Sequence, residues 1–442
     1  MRRPSRLRGR RKQVRPQTSP PALEAASETE TAIIAPPPEP TEADLRRQWR
    51  VGERIQEICP EALRVIPRLS RNGFRTYLCG GCVRDLMLDL RPKDFDIATN
   101  ATPRQVKRLF RNSRIIGRRF RLVQLTFQDK ILEVSTFRAA IDPPSDSPDL
   151  LILQDNTFGT AEEDALRRDF TINGLYYDLE CGRVIDFVGG LRDLDRRIIE
   201  TIGDPWVRFR EDPVRMLRAV KFASRLGFRL ADDVYSAILD CRDELRKAAP
   251  ARVHEELLRL TNMGGAHDAV RLMYRTGLLW VMVPELSDAL DLLGAAEDQT
   301  AWTAYWAMLR NLDAATRAGE QPSNARLFAF MLWPLFKDEL ATGRPKADTE
   351  DPEDELGAIA LRLRMSRRDA FIVRQIMYAQ ERLGAPKSKG GGRRRRRPGG
   401  AGFAQREWFG DAVFFFRARS LALGRDDLVQ AYDAPVDEPR SD

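Results

Sequence analysis

Histidine is nearly absent from this chain: only His254 and His267 occur in 442 residues. They stand far apart with no ligand spacing around them, which argues against a histidine-built zinc or iron site and a His-Asp phosphohydrolase centre. A Ser-His-Asp triad has equally little to draw on. Cysteine is also scarce. Five cysteines with no paired framework point to a reducing compartment. Cys79 and Cys82 form one C-x-x-C, but no second pair exists and glycines fill the gap, so we read the spacing as incidental rather than as a zinc or redox motif. No apolar run reaches the roughly 18 residues that a membrane helix needs; the best candidate is the short stretch 327–336. The N-terminus is rich in arginine but lacks an apolar core, which excludes a secretory signal and leaves a transit peptide as the minor alternative. There is no internal repeat. The expectation is a cytoplasmic protein without membrane association.

What the chain has in quantity is positive charge. Lysine and arginine number 73 against 65 acids, a formal net charge of +8, and arginine is concentrated in segments 2–15 and 393–397. Such runs attract polyanions, above all nucleic acid; the alternative is a solubilising tail. The length allows two or three domains. Residues 1–43 are basic and then proline-rich, a composition that cannot bury enough apolar surface to fold alone. Order is expected to start near Thr41, with helices around 45–58 and 60–72. Strands are expected at 76–79, 94–98, 121–127 and 131–137, with a helix around 103–111 and a hairpin turning at 128–130. From residue 191 the period changes to 3.6 and stays helical to about 385. The aromatic segment 408–416 reads as a short helix returning to the body.

The most informative segment is 78–99. It reads as a strand, a glycine turn, a helix, and a second strand carrying Asp94 and Asp96. In Asp94-Phe95-Asp96-Ile97 a period of two puts both aspartates on one face and both apolar residues on the other. Carboxylates this close repel each other unless a cation lies between them, and hard oxygen ligands suit Mg²⁺. Gly80 and Gly81 leave the backbone bare enough for phosphate oxygens to approach its N–H groups. Alone, an Asp-x-Asp is a solvated strand edge and a Gly-Gly is a turn. In this order they are the apparatus of nucleotidyl transfer.

Four segments then follow one another: Gly80-Gly-Cys-Val-Arg-Asp85, Lys93-Asp-Phe-Asp-Ile-Ala-Thr-Asn-Ala-Thr102, Arg167-Arg-Asp-Phe-Thr-Ile-Asn173 and Arg210-Glu-Asp-Pro-Val-Arg-Met-Leu-Arg-Ala-Val220. Together they resemble the bacterial poly(A) polymerase and tRNA CCA-adding enzyme family, within the DNA-polymerase-β-like nucleotidyltransferases. The resemblance covers roughly residues 50–290. It implies an α+β fold, with a small mixed α/β nucleotidyltransferase head followed by all-helical neck, body and tail. We place the head at 44–190, the neck at 191–260, the body at 261–385, and an arginine-rich linker and tail at 386–442. The implied activity is template-independent addition of AMP from ATP to RNA 3′-hydroxyl ends with release of pyrophosphate, by two-metal chemistry with Mg²⁺ or Mn²⁺. The alternative is a tRNA CCA-adding enzyme. Segments 115–122 and 162–169 and the arginine-rich C-terminal region resemble the poly(A) branch; Gln124 departs from it, standing where that branch has histidine. A non-catalytic RNA-binding scaffold is the third reading, and the intact Asp94, Asp96 and Asp169 weigh against it.

Asp94 and Asp96 are the expected metal ligands and catalytic carboxylates. The resemblance points to Asp169 as the third, with Glu133 on the neighbouring strand as its rival. Arg84, Arg167 and Arg168 are candidates for the triphosphate, because a guanidinium fork matches phosphate oxygens. Asn173 either bonds ribose and orders the site or is a satisfied structural amide. By resemblance Glu211, Asp212, Arg215 and Arg218 carry base choice. On a helix Asp212 and Arg215 share a face at i,i+3, so an acceptor beside a donor imitates a Watson–Crick edge; the alternative is a surface ion pair worth little. Trp280, Trp302, Trp306 and Trp333 either stack RNA bases or sit in the helical core. The implied partners are ATP and RNA 3′ ends (mRNA, with tRNA as a second substrate), and RNA-decay or helicase proteins engaging the basic tails.

Overall fold

The structure, a computed structural model, describes residues 56–117, 121–128, 130–139, 157–342, 355–384 and 401–433. These all fall within one compact unit, Pro40–Asp442. The two arginine-rich segments, the expected disorder over 1–43 and the helix near 45–58 lie outside the described residues, apart from the last positions of that helix.

The first described helix, α1 (Pro60–Ser70), starts with proline in its first turn and buries Ala62, Val65, Ile66 and Leu69, the spacing of one helical face. Strand β1 (Thr76–Cys79), helix α2 (Gly81–Met87) and strand β2 (Asp96–Thr99) follow. Helix α3 (Pro103–Leu109) is opened by a capping box in which Thr102 and Gln105 satisfy each other's backbone amides. Strands β3 (Ser113–Ile116), β4 (Leu122–Thr126) and β5 (Ile131–Thr136) come next. Helix α4 (Ala161–Leu166) starts with a second capping box, between Thr160 and Glu163. Strands β6 (Leu175–Asp178) and β7 (Arg183–Asp186) and helix α5 (Gly190–Asp195) complete the head.

The seven strands form one sheet in the order β3-β4-β5-β2-β1-β6-β7. The β2–β5 pair is parallel and the other neighbours run antiparallel. One face packs Leu78, Ile97, Val123, Leu132 and Val134 into the main core with α1 and α3. The other carries a smaller apolar cluster of Cys79, Ala98, Phe137, Ala165 and Tyr176. Compared with the strands read from sequence, β2 is registered from Asp96 rather than residue 94. The β4–β5 hairpin lies where expected, its turn closed by Phe127 N–H donating to Lys130 O at 2.7 Å.

Beyond the head, a short parallel ladder of β8 (Ile198–Ile199) and β9 (Arg229–Leu230) brackets two helices, α6 (Pro205–Glu211) and α7 (Val214–Leu226). Helices α8 (Asp232–Cys241) and α9 (Pro250–Thr261) follow, and the described residues beyond them form helices and the turns between them. Trp306 and Trp333 are buried, and Trp280 and Trp302 pack against the same core, so none of the four stands free as a stacking platform. The aromatic C-terminal segment forms a helix over Phe409–Ala422 that buries Phe415 and Phe416. Among the described residues no helix is long and apolar enough to cross a membrane.

Candidate active site

Strand register builds the carboxylate site. Asp96 opens β2 and pairs with Glu133 across the parallel β2–β5 ladder; Glu133 pairs with Gln124 across β4–β5. Paired residues share a face of the sheet, and Gln124 Nε2 donates to Glu133 Oε1 at 3.2 Å. Asp94, just before the strand, is exposed like Asp96, while Phe95 and Ile97 are buried. Asp96 reaches solvent, yet protein crowding around its carboxyl lifts its pKa above the ordinary range. Arg168 opposes that rise, and Glu133 and Asp94 add to it. Three carboxylates against one resident guanidinium leave net negative charge on this face, and Asp94 and Asp96 are the candidates to hold a cation.

The C-x-x-C lies directly behind. Cys79 pairs with Asp96 across β1–β2, and its Sγ donates to the Asp96 carbonyl at 3.6 Å, while Cys82 Sγ donates to the Cys79 carbonyl at 3.3 Å. Both thiols are free and buried. Burial pushes Cys79 up to about 11 and Cys82 further still, so neither offers a thiolate at neutral pH.

Gly80 departs from its expected role. Its N–H donates to Leu175 O at 2.9 Å, so this amide is not open to phosphate. What glycine provides is space at φ +74°, ψ −132°: a Cβ here would stand 2.8 Å from Arg168 Nη1. The Arg168 guanidinium donates to Tyr176 Oη at 3.1 Å, Asn173 O at 3.3 Å and Asp164 Oδ2 at 3.1 Å, and Tyr176 Oη donates to Asp164 Oδ2 at 2.7 Å. Arg168 is thereby aimed beside Asp96, held from behind by a carboxylate and a phenol. Gly81, the first residue of α2, carries no such constraint. Arg167 Nη1 donates to Ala139 O at 2.6 Å.

Arg84 lies inside the head. It is 2% exposed, its Nε and Nη2 donate to Asp85 Oδ1, and its Nη1 donates to Asn173 Oδ1 at 2.6 Å. In this arrangement its donors are directed to protein partners. Asn173 is its satisfied partner and also donates Nδ2 to Asp169 Oδ1 at 3.1 Å. Asp85 in turn accepts from Arg225 of α7 at 3.0 Å.

Asp169 faces the neck. Its Oδ1 also accepts the Phe170 N–H, and its Oδ2 accepts Arg218 Nε at 2.7 Å and Nη2 at 2.6 Å. Burial works to raise this carboxyl, but Arg218, Asn173 and the Phe170 amide together hold it well below the usual range. Arg218 continues to Glu256 at 3.4 Å, where Lys221 Nζ also donates at 2.6 Å. Burial and the nearby Arg218 depress the Lys221 ammonium to about 8.

The helix face expected to unite Asp212 and Arg215 is not formed. Helix α6 stops at Glu211, Asp212 is extended (φ −148°, ψ 93°), and α7 begins after Pro213. Asp212 and Arg215 therefore do not lie on one continuous helix and do not pair. Arg215 Nη1 donates to Glu211 Oε2 at 2.8 Å and Arg208 O at 3.0 Å. Asp212 instead accepts a fork from Arg252 of α9, at 2.9 and 2.8 Å. Asp169, Asp212, Arg215, Arg218, Arg252 and Glu256 all line one cleft between head and neck. Arg215 and Arg218 share α7 at i,i+3, and Asp212 is brought beside them by folding rather than by helical period. Arg252 and Glu256 carried no local signal; only the tertiary approach of α9 reveals them.

The head and neck match known families. Residues 76–200 match the family described as "Poly A polymerase head domain", and residues 227–290 that described as "Probable RNA and SrmB- binding site of polymerase A". The poly(A) polymerase I of Escherichia coli O157:H7 is 40% identical over 295 residues, 65% of this chain and 62% of that protein, so the chain spans under two-thirds of its length. The poly(A) polymerase I of Haemophilus influenzae is 35% identical over 336 residues, 73% of this chain and 74% of that protein. A solved CCA-adding enzyme in complex with ATP shares the fold, with a TM-score of 0.56 over 88% of this chain and 85% of that one, at 17% identity. A seven-stranded head carrying its carboxylates on one row, a charged cleft at the neck, and these relatives together lead to one statement: the chain belongs to the poly(A) polymerase and CCA-adding enzyme family of nucleotidyltransferases.

Proposed function

We propose that this protein is a template-independent poly(A) polymerase, transferring AMP from ATP to RNA 3′-hydroxyl ends and releasing pyrophosphate. The observation that carries the reading is the register pair Asp96–Glu133, with Asp94 beside it and Arg168 aimed at the same face. Among the described residues no three His, Cys, Asp or Glu side chains are grouped closely enough to hold a metal by themselves. Mg²⁺ (or Mn²⁺) does not require such a cage, because it binds through one or two carboxylates together with substrate phosphates. Asp94 and Asp96 would hold such ions, which supply charge neutralisation at the α-phosphate and activation of the attacking hydroxyl.

The chain's own residues do the rest. Arg168, already braced by Asp164 and Tyr176, presents fixed positive charge where phosphate oxygens arrive. Glu133 completes the carboxylate set. We assign it the third-carboxylate role in preference to Asp169, because both Asp169 oxygens are already engaged by Arg218, Asn173 and the Phe170 amide. Asp169 and Arg218 then fix the neck against the head, and Asp212, Arg215 and Arg218 line the cleft that receives the base. RNA is held by the neck and the basic segments. Poly(A) addition is favoured over CCA addition by the segments 115–122 and 162–169, and mRNA 3′ ends are the primary substrate.

The test supplies Mg²⁺, an unstructured oligoribonucleotide and each nucleoside triphosphate separately. A long ladder with ATP alone is expected. A product of three nucleotides on tRNA lacking its end would assign CCA addition instead, and no extension with any nucleotide would refute nucleotidyl transfer.

A further inference from the structure

We infer that Arg252 is a specificity-determining residue, positioning the Asp212 carboxylate so that the cleft admits bases bearing an exocyclic amine and rejects those bearing a carbonyl there. The inference rests on the nucleotidyl-transfer reading above.

The helix breaks at Asp212 and Pro213. The Arg215 N–H still donates to Asp212 O at 3.0 Å, which fixes the two backbones but leaves the Asp212 side chain to be oriented by its own partners. The two side chains are oriented by different partners. Arg215 is held from α6, by Glu211 and the Arg208 carbonyl, and Asp212 from α9, by Arg252. The Arg252 fork places Nη1 on Asp212 Oδ1 and Nη2 on Oδ2, the bidentate geometry that fixes a carboxylate in its plane. An ionised carboxylate has about four acceptor sites. The fork uses two, and the others remain to accept protons from a ligand. Both residues line the cleft that also contains Arg215 and Arg218.

A carboxylate held in place discriminates by sign. Adenine N6 and cytosine N4 are donors, whereas guanine O6 and the uracil O4 are acceptors. A fixed Asp212 therefore bonds the first two and repels the others, while Arg215 and Arg218 supply donors to the neighbouring ring nitrogen. Freed from Arg252, Asp212 can rotate away at the extended backbone, and the repulsion that excludes GTP and UTP is lost. The distinction between ATP and CTP, a matter of ring size, depends less on Arg252. The Arg252 side chain is 43% exposed, so replacing it leaves no buried hole.

The experiment measures kcat/KM for ATP, CTP, GTP and UTP on an oligoadenylate primer, for the whole chain and for Arg252→Gln and Arg252→Lys. In Arg252→Gln the ATP:GTP and ATP:UTP ratios are expected to fall about 10- to 100-fold, the worth of one charge-assisted hydrogen bond, with KM for ATP rising more than kcat falls. The ATP:CTP ratio should move less. Arg252→Lys, whose ammonium lacks the fork, should fall between the two, and it carries the comparison if the glutamine variant melts below the assay temperature. A parallel loss for all four nucleotides, or ratios that do not change, would overturn the inference and leave the activity standing. An unmodified chain that extends RNA with no nucleotide would overturn the underlying reading as well.

Discussion

Replacing Gly80 with alanine tests the site most directly, because its neighbour Gly81 serves as an internal control. At Gly80 the backbone has φ +74° and ψ −132°, a region that costs an L-residue about 1–3 kcal/mol. The new Cβ would also stand 2.8 Å from Arg168 Nη1, well inside van der Waals contact. Arg168 cannot yield freely, since Asp164, Tyr176 and the Asn173 carbonyl hold it. Giving up one charge-assisted bond costs roughly another 1.5–3 kcal/mol. Gly80→Ala should therefore lower stability by about 2.5–6 kcal/mol. It should also move the guanidinium by a sizeable fraction of an ångström, costing on the order of 10- to 100-fold in kcat/KM. At Gly81 the nearest atom to a built Cβ is Arg84 Nη2 at 3.6 Å, an ordinary contact, and alanine is the better helix former by up to about 1 kcal/mol. Gly81→Ala should be neutral or stabilising and fully active. Chemical denaturation and a primer-extension time course on both variants decide the matter. Equal behaviour of the two would refute the account of Arg168 placement.

Asp96→Asn and Glu133→Gln should each reduce kcat by on the order of 10³-fold or more without loss of stability, since each removes a like charge from the same face; extension assays beside melting curves check this. Asp169→Asn should behave differently, costing roughly 3 kcal/mol because Arg218 loses its buried partner. The folded-state pKa of Asp169 is depressed, so its stabilisation is full above the unfolded value of about 3.9 and drains away as pH falls below it. The asparagine variant should accordingly lose less stability on acidification. Glu200 is the opposite case. Burial, with Asp233 and Asp193 nearby, raises its pKa to about 7. The folded chain then binds more protons than the unfolded one between about 4.3 and that value, and stability should decline as pH rises through this window. Glu200→Gln, which can still accept from Thr201 N–H, should flatten that decline and melt higher at pH 8.

The central strands and the carboxylate pair were legible because their determinants are local. The alternation of Asp94 and Asp96 with Phe95 and Ile97 survives in the structure as exposed and buried positions. The hairpin was equally plain. The break at residue 212 was readable in principle, since the residue before a proline is pushed out of the helical region, yet the motif invites an unbroken helix. Arg84 shows the limit from the other side. Nothing near it in sequence says that Asn173, 89 residues on, will accept from it, and an arginine beside a glycine turn looks the same whether buried or free. Glu133 and Asp169 differ in the same way: which one stands beside Asp96 is decided by pairing between β2 and β5, a long-range event. Arg252 is invisible until α9 packs against the neck.

Helix α7 sends Arg225 to Asp85 and Arg218 to Asp169, so opposite charges meet across the boundary between sheet and helices. Severing the polypeptide after residue 200 would take Arg218 from Asp169 and Arg225 from Asp85, which would keep only Arg84. The two halves are therefore joined by charge as well as by apolar packing. On the proposed function, a nucleotide entering between them would meet walls joined by these ion pairs, and any swing of one half must carry its ionic anchors along.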